Sequence, residues 1–230
     1  MTGTGSGRLE GKSTEQTLEA GTRLDRGLGK TRFDKTEISH VIGGTPGPNG
    51  QPSKLIIRGY DIFDLRQSTF LEVAYLVMHG ELPTQLELSE FDSKLRAYRE
   101  LPPGAIDMIF KMKDAPPMIV LQTVTSALAH FNPHSRYDGS KSELNSDGRL
   151  SALDEVIDST MRLMEQVPLI VMTQENLRRT GEMVPPNRDL GYVPHLIYLL
   201  RGEAPSEGDD DVRLLDLDFL LHSEHGSNAS

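Results

Sequence analysis

Two histidines and an asparagine near the end of the chain are the residues best suited to chemistry. His222 and His225 stand three positions apart after an apolar run, and Asn228 follows beyond Gly226. A three-residue spacing places two side chains on neighbouring positions of one helical face. Imidazole N–H groups and a carboxamide are donors that can hold a small anion in a partly dry site. The spacing therefore favours an anion-binding site.

Two other interpretations of this histidine pair stay open. A metal site would need a third ligand, and none is evident nearby in the sequence. The pair can also act as capping and core hydrogen-bonding residues at a helix end. We interpret every remaining histidine as a surface residue or as a core residue with satisfied hydrogen bonds, and these are His40, His79, His130, His134 and His195.

Composition excludes several classes of protein. The formal net charge of −10 argues against binding to nucleic acid or to an anionic membrane surface. The absence of cysteine excludes disulfides, thiolate metal sites and a cysteine nucleophile. No apolar window is long enough for a membrane span. The first residues lack the apolar core of a secretory signal and are too acidic for a mitochondrial presequence, so we expect an intracellular, cytoplasmic protein.

The pattern of residue types predicts a lead-in followed by one domain. Residues 1–35 are polar and glycine-rich, and we predict a flexible lead-in. Residues 36–230 are predicted to form one helical domain. Within that domain, two β-prone pieces, Glu37–Ile42 and Lys54–Arg58, flank a turn rich in Gly, Pro and Asn-Gly, which predicts a small hairpin.

Helical periodicity begins at Ser68 and continues to the end of the chain. It predicts a helix from Phe70 to before Gly80 and a second that opens at Leu82–Thr84 and ends at Leu101–Pro103. Further helices are predicted over Ala105–Met112, Met118–Phe131, Leu150–Thr180 (bent at Pro168), Asp189–Arg201 and Pro205–His225. A polar loop is predicted over Asn132–Gly148. The mixed spacing of leucines in the last helix predicts burial on most of its faces. Seven or eight helices with one hairpin and no βαβ alternation predict an all-α fold.

Five segments in order resemble the citrate synthase family. They are LIIRGYDIFDL (Leu55–Leu65), FLEVAYLVMHGELPT (Phe70–Thr84), PPMIVLQTVTSALAHFNP (Pro116–Pro133), RLMEQVPLIV (Arg162–Val171) and LLDLDFLLHSEHGSNAS (Leu214–Ser230). The resemblance covers the chain from about Leu24 to its end. It implies a multi-helical citrate-synthase-like large domain with a small N-terminal hairpin.

The resemblance also implies a reaction and a site. The family joins an acyl-CoA to oxaloacetate by a Claisen-type condensation and then hydrolyses the thioester, with no bound cofactor. It implies that His225 hydrogen-bonds oxaloacetate and that His222 and Asn228 lie beside it. A donor aimed at the ketone of oxaloacetate would polarise the electrophile, most strongly in a dry cleft.

Several family residues have no counterpart in this sequence. The second and third family histidines and the catalytic aspartate are missing, so we assign no catalytic residue and expect a truncated chain that is inactive alone. His195 stands where the resemblance leads us to expect asparagine. This and other atypical details favour a specialised branch of secondary metabolism that forms an alkylcitrate, with acetyl-CoA, propionyl-CoA or a longer acyl-CoA as co-substrate.

A non-catalytic role is the alternative. Helices of this kind would keep an apolar face that normally packs against further helices or a second subunit. The chain would then serve as an interaction or dimerisation module, either as a homodimer or bound to a full-length relative.

Overall fold

Helices dominate the computed structural model, and the strands of the described residues all lie before Ile62. The structure describes residues 22–25, 31–35, 38–45, 47–131 and 150–224. The chain divides into two compact units, the first formed by Met1–Thr84 with Asp216–Ser230 and the second by Gln85–Leu215. The predicted loop Asn132–Gly148 lies outside the described residues, as do residues 1–21.

In the described part of the first unit, five short strands form two antiparallel sheets. They are β1 (Thr22–Asp25), β2 (Thr31–Lys35), β3 (Ser39–Ile42), β4 (Lys54–Ile57) and β5 (Tyr60–Asp61). Strand β1 pairs with β2, and the other three form a sheet in the order β3-β4-β5. The predicted hairpin is confirmed as β3 and β4, extended by β5. Strands β1 and β2 fall within the predicted lead-in, whose flexibility and boundary stay predictions.

A two-residue turn joins β4 to β5 and reaches the next helix. Arg58 and Gly59 both have positive φ, +48° and +91°, as tight hairpin turns require. The Arg58 guanidinium donates through Nη2 to the carbonyl of Val77 at 2.9 Å. The turn is thereby attached to the end of a helix that lies nineteen positions further along the chain.

Two helices complete this part of the first unit, α1 (Ile62–Leu65) and α2 (Phe70–His79). Helix α2 begins with a capping box, in which the Thr69 hydroxyl accepts the N–H of Glu72 and the Glu72 carboxylate accepts the N–H of Thr69. It ends at Gly80, whose φ of +96° is the left-handed conformation that glycine adopts without strain. The sequence therefore fixes both ends of α2.

Helix α6 organises the second unit. The helices of this unit are α3 (Gln85–Ala97), α4 (Pro103–Lys111), α5 (Pro117–Phe131), α6 (Leu150–Thr180) and α7 (Tyr192–Arg201), and α8 (Asp210–Leu221) continues from it into the first unit. Helix α6 contacts α3, α4, α5 and α7. The predicted all-α class is confirmed. No helix in the described part of the chain is long and apolar enough to cross a membrane.

Close packing and proline shape the helices around α6. A Cβ atom at Gly104 in α4 would lie 2.4 Å from the Phe131 ring, so only glycine allows this approach between α4 and α5. Helix α6 runs without interruption through Pro168. Proline has no N–H for the Met164 carbonyl four positions earlier, and the Tyr192 hydroxyl donates to that carbonyl at 2.8 Å. The predicted bend at Pro168 stays a prediction.

Helix α8 differs from its prediction in length and burial. It begins at Asp210 rather than Pro205, because Gly208 has a φ of +78° and the Asp209 carboxylate accepts the N–H of Asp211. It ends at Leu221 rather than His225. The prediction of burial on most faces is wrong, since Leu214 and Leu221 are 63% and 58% exposed. Only Asp216 and Leu220, four positions apart, are buried.

Candidate functional site

The segment that carries the predicted site is anchored on the first unit by its apolar residues. Leu220 is 1% exposed and belongs to a small core shared with β4, α1 and α2. The Phe219 ring lies 5.3 Å from the Phe70 ring, centroid to centroid. The buried residues that share this core with Leu220 are Ile57, Leu65, Val73 and Leu76. Apolar packing therefore fixes the end of α8 against the start of α2.

A buried carboxylate on α8 makes a second contact with the start of α2. Asp216 accepts the backbone N–H of Phe70 at 2.9 Å, and Phe70 is the first residue of α2. The N–H groups of a first helical turn have no partner within the helix, and negative charge is favoured there. Asp216 thus satisfies one of these donors and sets the orientation of the last turns of α8.

His222 follows the end of α8 and is the one predicted site residue that the structure describes. Its side chain is 75% exposed. Its Nδ1 lies 2.7 Å from the backbone carbonyl of Asp218, which can only accept, so Nδ1 carries the proton. Nε2 of a neutral ring then accepts hydrogen bonds, and it donates only when the ring is protonated.

His225 and Asn228 lie outside the described residues. Because α8 ends at Leu221, the helix that was predicted to place both histidines on one face stops before His222. Within the described ranges, no three His, Asp or Glu side chains are grouped as a metal site would require.

Three of the five motif segments meet in the first unit. The segment Leu55–Leu65 supplies β4, β5 and α1, and Phe70–Thr84 supplies α2. The third segment supplies Asp216, Phe219 and Leu220, whose contacts are given above. Residues far apart in the sequence thus form the base from which the terminal segment extends.

Comparison with known proteins matches a range of residues that includes these three segments. A family model described as "Citrate synthase, C-terminal domain" matches residues 27–230. The chain belongs to the citrate synthase family. The predicted family resemblance, which begins near Leu24, is confirmed.

Relatives in this family cover most of the chain. The citrate synthase of Haloferax volcanii is 30% identical over 211 residues, which are 90% of this chain and 50% of that protein. The 2-methylcitrate synthase 2 of Corynebacterium glutamicum is 30% identical over 214 residues, or 91% and 51%. The crystal structure of citrate synthase from Pyrobaculum aerophilum matches with a TM-score of 0.71 and 29% identity, over 88% of this chain and 47% of that one. The chain spans about half the length of these relatives.

The second unit contains a buried ion pair that the sequence analysis missed. Arg99 and Glu165 form two hydrogen bonds of 2.9 Å, with side chains 0% and 1% exposed. The Arg99 Nη1 group also donates to the carbonyls of Asn187 and Leu190 at 3.0 and 2.8 Å. A signal was present, because Arg99 continues the four-residue spacing of Phe91 and Leu95 just beyond α3, and a charge at a buried position needs a partner.

His195 differs from its interpretation as a surface residue or a core residue with satisfied hydrogen bonds. Its ring is fully buried, and neither nitrogen has a hydrogen-bond partner among the residues that the structure describes. Burial, with the nearby cations of Arg99 and Arg96, lowers the pKa of His195 to about 3. His195 is thus a neutral core residue, and the interpretation as a satisfied one is wrong.

Proposed function

We propose that this chain acts in the condensation of an acyl-CoA with oxaloacetate and supplies part of the oxaloacetate site. The observation that carries the proposal is family membership over residues 27–230, which includes the terminal segment with both histidines. Family relatives named citrate synthase and 2-methylcitrate synthase extend the candidate co-substrates from acetyl-CoA to propionyl-CoA. Longer acyl chains, which would give an alkylcitrate, belong to the same proposal.

His225 has the central role in this proposal. Its imidazole would donate to the ketone or a carboxylate of oxaloacetate, with the Asn228 amide as a second donor. His222 would support it electrostatically when protonated, since Nδ1–H of the neutral ring is already bound to Asp218. The anchoring of α8 by Leu220 and Asp216 supports the proposal, because it fixes the chain shortly before His225.

Replacing His225 should weaken oxaloacetate binding by at least tenfold. Loss of one charge-assisted or well-aligned hydrogen bond to a dicarboxylate costs roughly 1.5 to 3 kcal/mol. Calorimetric titration of the 230-residue protein and of His225→Ala with oxaloacetate measures this. His40→Ala is the control, since His40 lies on β3 outside the terminal segment.

Two results would count against the proposal. One is the absence of a binding heat for oxaloacetate with the unmodified protein. The other is equal affinity in His225→Ala and His40→Ala. A thiol-release assay with oxaloacetate and acetyl-, propionyl- or hexanoyl-CoA then tests condensation itself and ranks the acyl chains.

We also propose that the chain forms a homodimer through α6 and α5. Val156, Leu163 and Val171 are exposed and lie seven and eight positions apart, which places them on one face of α6. Helix α5 contacts α6 and exposes Met118 and Ile119. Apolar patches of this kind mark protein–protein contacts.

The exposed residues Val156, Leu163 and Val171 form what we call the dimer stripe. A charge in this stripe should dissociate the dimer. Leu163→Glu would bury a carboxylate without a partner in the interface, so the dimer dissociation constant should rise at least tenfold. Light scattering over a dilution series measures the change. Leu86→Glu is the matched control, because Leu86 is also an exposed leucine but lies on α3. A protein that is monomeric before substitution, or equal effects of both variants, would refute the dimer.

A further inference from the structure

A cavity of about 400 Å³ lies in the second unit, between the end of α3, helices α4 and α6, and the loop of residues 181–188. Leu101 and Leu169 are buried in its floor, and Ile106, Met183 and Val184 form half-buried sides. A volume of this size suits a small molecule, and ligand sites are mainly apolar with a few placed polar groups. Among the described residues, neither His222 nor the proposed dimer stripe lines this cavity.

One hydroxyl of the cavity lining has no hydrogen-bond partner among the described residues. Thr173 lines the cavity and is 6% exposed, and no residue in the described part of the chain hydrogen-bonds its hydroxyl. Other threonines of α6 behave differently. The hydroxyls of Thr160 and Thr180 donate to the carbonyls of Val156 and Asn176, each at 2.8 Å. Because the Thr173 hydroxyl is not bonded to its own helix as those of Thr160 and Thr180 are, it is available to bond to a ligand in the cavity.

The charged side chains around the cavity are already paired. Arg99 is bound to Glu165 and to two backbone carbonyls. Arg188 donates to the Glu100 carboxylate at 3.0 Å at the exposed rim. Each charged side chain of the lining therefore has a partner of opposite charge, which disfavours an anionic or cationic ligand and favours an uncharged one.

The loop that forms one wall is held in place before any ligand binds. Arg96 donates to the carbonyl of Arg188 at 2.8 Å, and Arg99 donates to those of Asn187 and Leu190. Three backbone carbonyls are thus fixed by two guanidinium groups of α3 and the turn after it. A preformed wall reduces the entropy that binding would cost.

We propose that this cavity binds a small uncharged molecule with an apolar body and one hydroxyl or carbonyl group. The apolar body lies against Leu101, Ile106 and Leu169, and the polar group bonds to the Thr173 hydroxyl. This site is independent of the oxaloacetate proposal and can hold even where that proposal fails.

Titration with benzyl alcohol, toluene and benzoate tests the site. With ¹³C-methyl methionine labelling, the Met183 methyl reports binding in the cavity, and Met118 on the exposed start of α5 serves as an internal reference. Benzyl alcohol should shift the Met183 signal saturably, with a dissociation constant on the order of 1 to 10 mM for a ligand of this size. Toluene should bind more weakly, and benzoate most weakly.

Thr173→Val separates the hydrogen bond from the shape of the site. Valine keeps the size of threonine and removes the hydroxyl, so benzyl alcohol should bind at least threefold more weakly while toluene binds as before. Thr125→Val is the matched control, because the Thr125 hydroxyl likewise has no partner among the described residues but lies on α5 outside the cavity. Val184→Phe, in the loop, should fill the cavity and abolish binding of both probes.

Three results would overturn the site. The first is the absence of a saturable Met183 shift for any probe up to roughly 50 mM. The second is binding of benzyl alcohol that Thr173→Val and Val184→Phe both leave unchanged. The third is tighter binding of benzoate than of benzyl alcohol, which would refute an uncharged ligand.

Discussion

Replacing Arg99 by methionine should lower the free energy of unfolding by about 3 to 5 kcal/mol. The substitution leaves the Glu165 carboxylate fully buried without its guanidinium partner. It also removes the donor to the carbonyls of Asn187 and Leu190. Burial already raises the pKa of Glu165 although Arg99 opposes this, so the isolated carboxyl would be expected to take up a proton at the expense of stability.

Urea denaturation at neutral pH measures this loss. Arg188→Met is the matched control, since its pair with Glu100 is exposed and should contribute only about 0 to 1 kcal/mol. The double variant Arg99→Met/Glu165→Met should lose less than the sum of the two single variants, because neither charge is then left alone. Equal losses for Arg99→Met and Arg188→Met would contradict the assignment of a buried pair.

Acid should destabilise the protein through His195 well above the pH at which carboxylates titrate. The folded state keeps His195 neutral, with a pKa of about 3, while the unfolded chain binds a proton near the ordinary value of 6.5. Stability from this residue is therefore complete above the unfolded pKa and is lost as the pH falls below it. At about pH 4.5 the loss should reach roughly 2 to 3 kcal/mol.

Other titratable and charged groups of the second unit bear on this pH dependence in different ways. The cations of Arg99 and Arg96 add to the effect of burial on its pKa. The raised pKa of Glu165 acts in the opposite direction, since a carboxyl that protonates more readily in the folded state gains stability as the pH falls. Burial of Asp158 is outweighed by hydrogen bonds from Tyr98, Lys94 and Arg162, which lower its pKa to about 2, so its contribution is lost only in stronger acid.

Comparison with His195→Leu isolates the contribution of the histidine. The variant should match or exceed the unmodified protein in stability at neutral pH, because leucine removes two buried nitrogens that have no partner among the described residues. Its stability should change much less between about pH 7 and pH 4.5. His130→Leu, at an exposed position on α5, should keep the acid slope. Identical slopes for all three proteins would show that His195 is not responsible.

Local sequence signals predicted most helices because their ends and faces depend on nearby residues. Thr69 and Gly80 bound α2 through caps that can be read from the sequence. The burial of α8 was predicted wrongly for a different reason. Its leucines surround the helix, and only packing against Ile57, Val73 and Leu76 selects which of them are buried.

The site was predictable only as far as the family motif extends. His222, His225 and Asn228 stand out by type and spacing, but the sequence could not predict that α8 ends before them or that Asp218 takes the Nδ1 proton of His222. The Arg99–Glu165 pair joins positions 66 residues apart. A local sequence pattern indicates that Arg99 needs a partner but not which residue supplies it.

Pro168 and Tyr192 illustrate how a sequence can change along such a helix. A proline in a helix interior costs about 3 kcal/mol, part of it from the carbonyl that loses its donor. The Tyr192 hydroxyl supplies that donor from another helix. An evolutionary path that acquired the tyrosine first would pass through a more stable intermediate than one that acquired the proline first. Transferring the proline and the tyrosine together into a homologue should therefore cost less stability than transferring the proline alone.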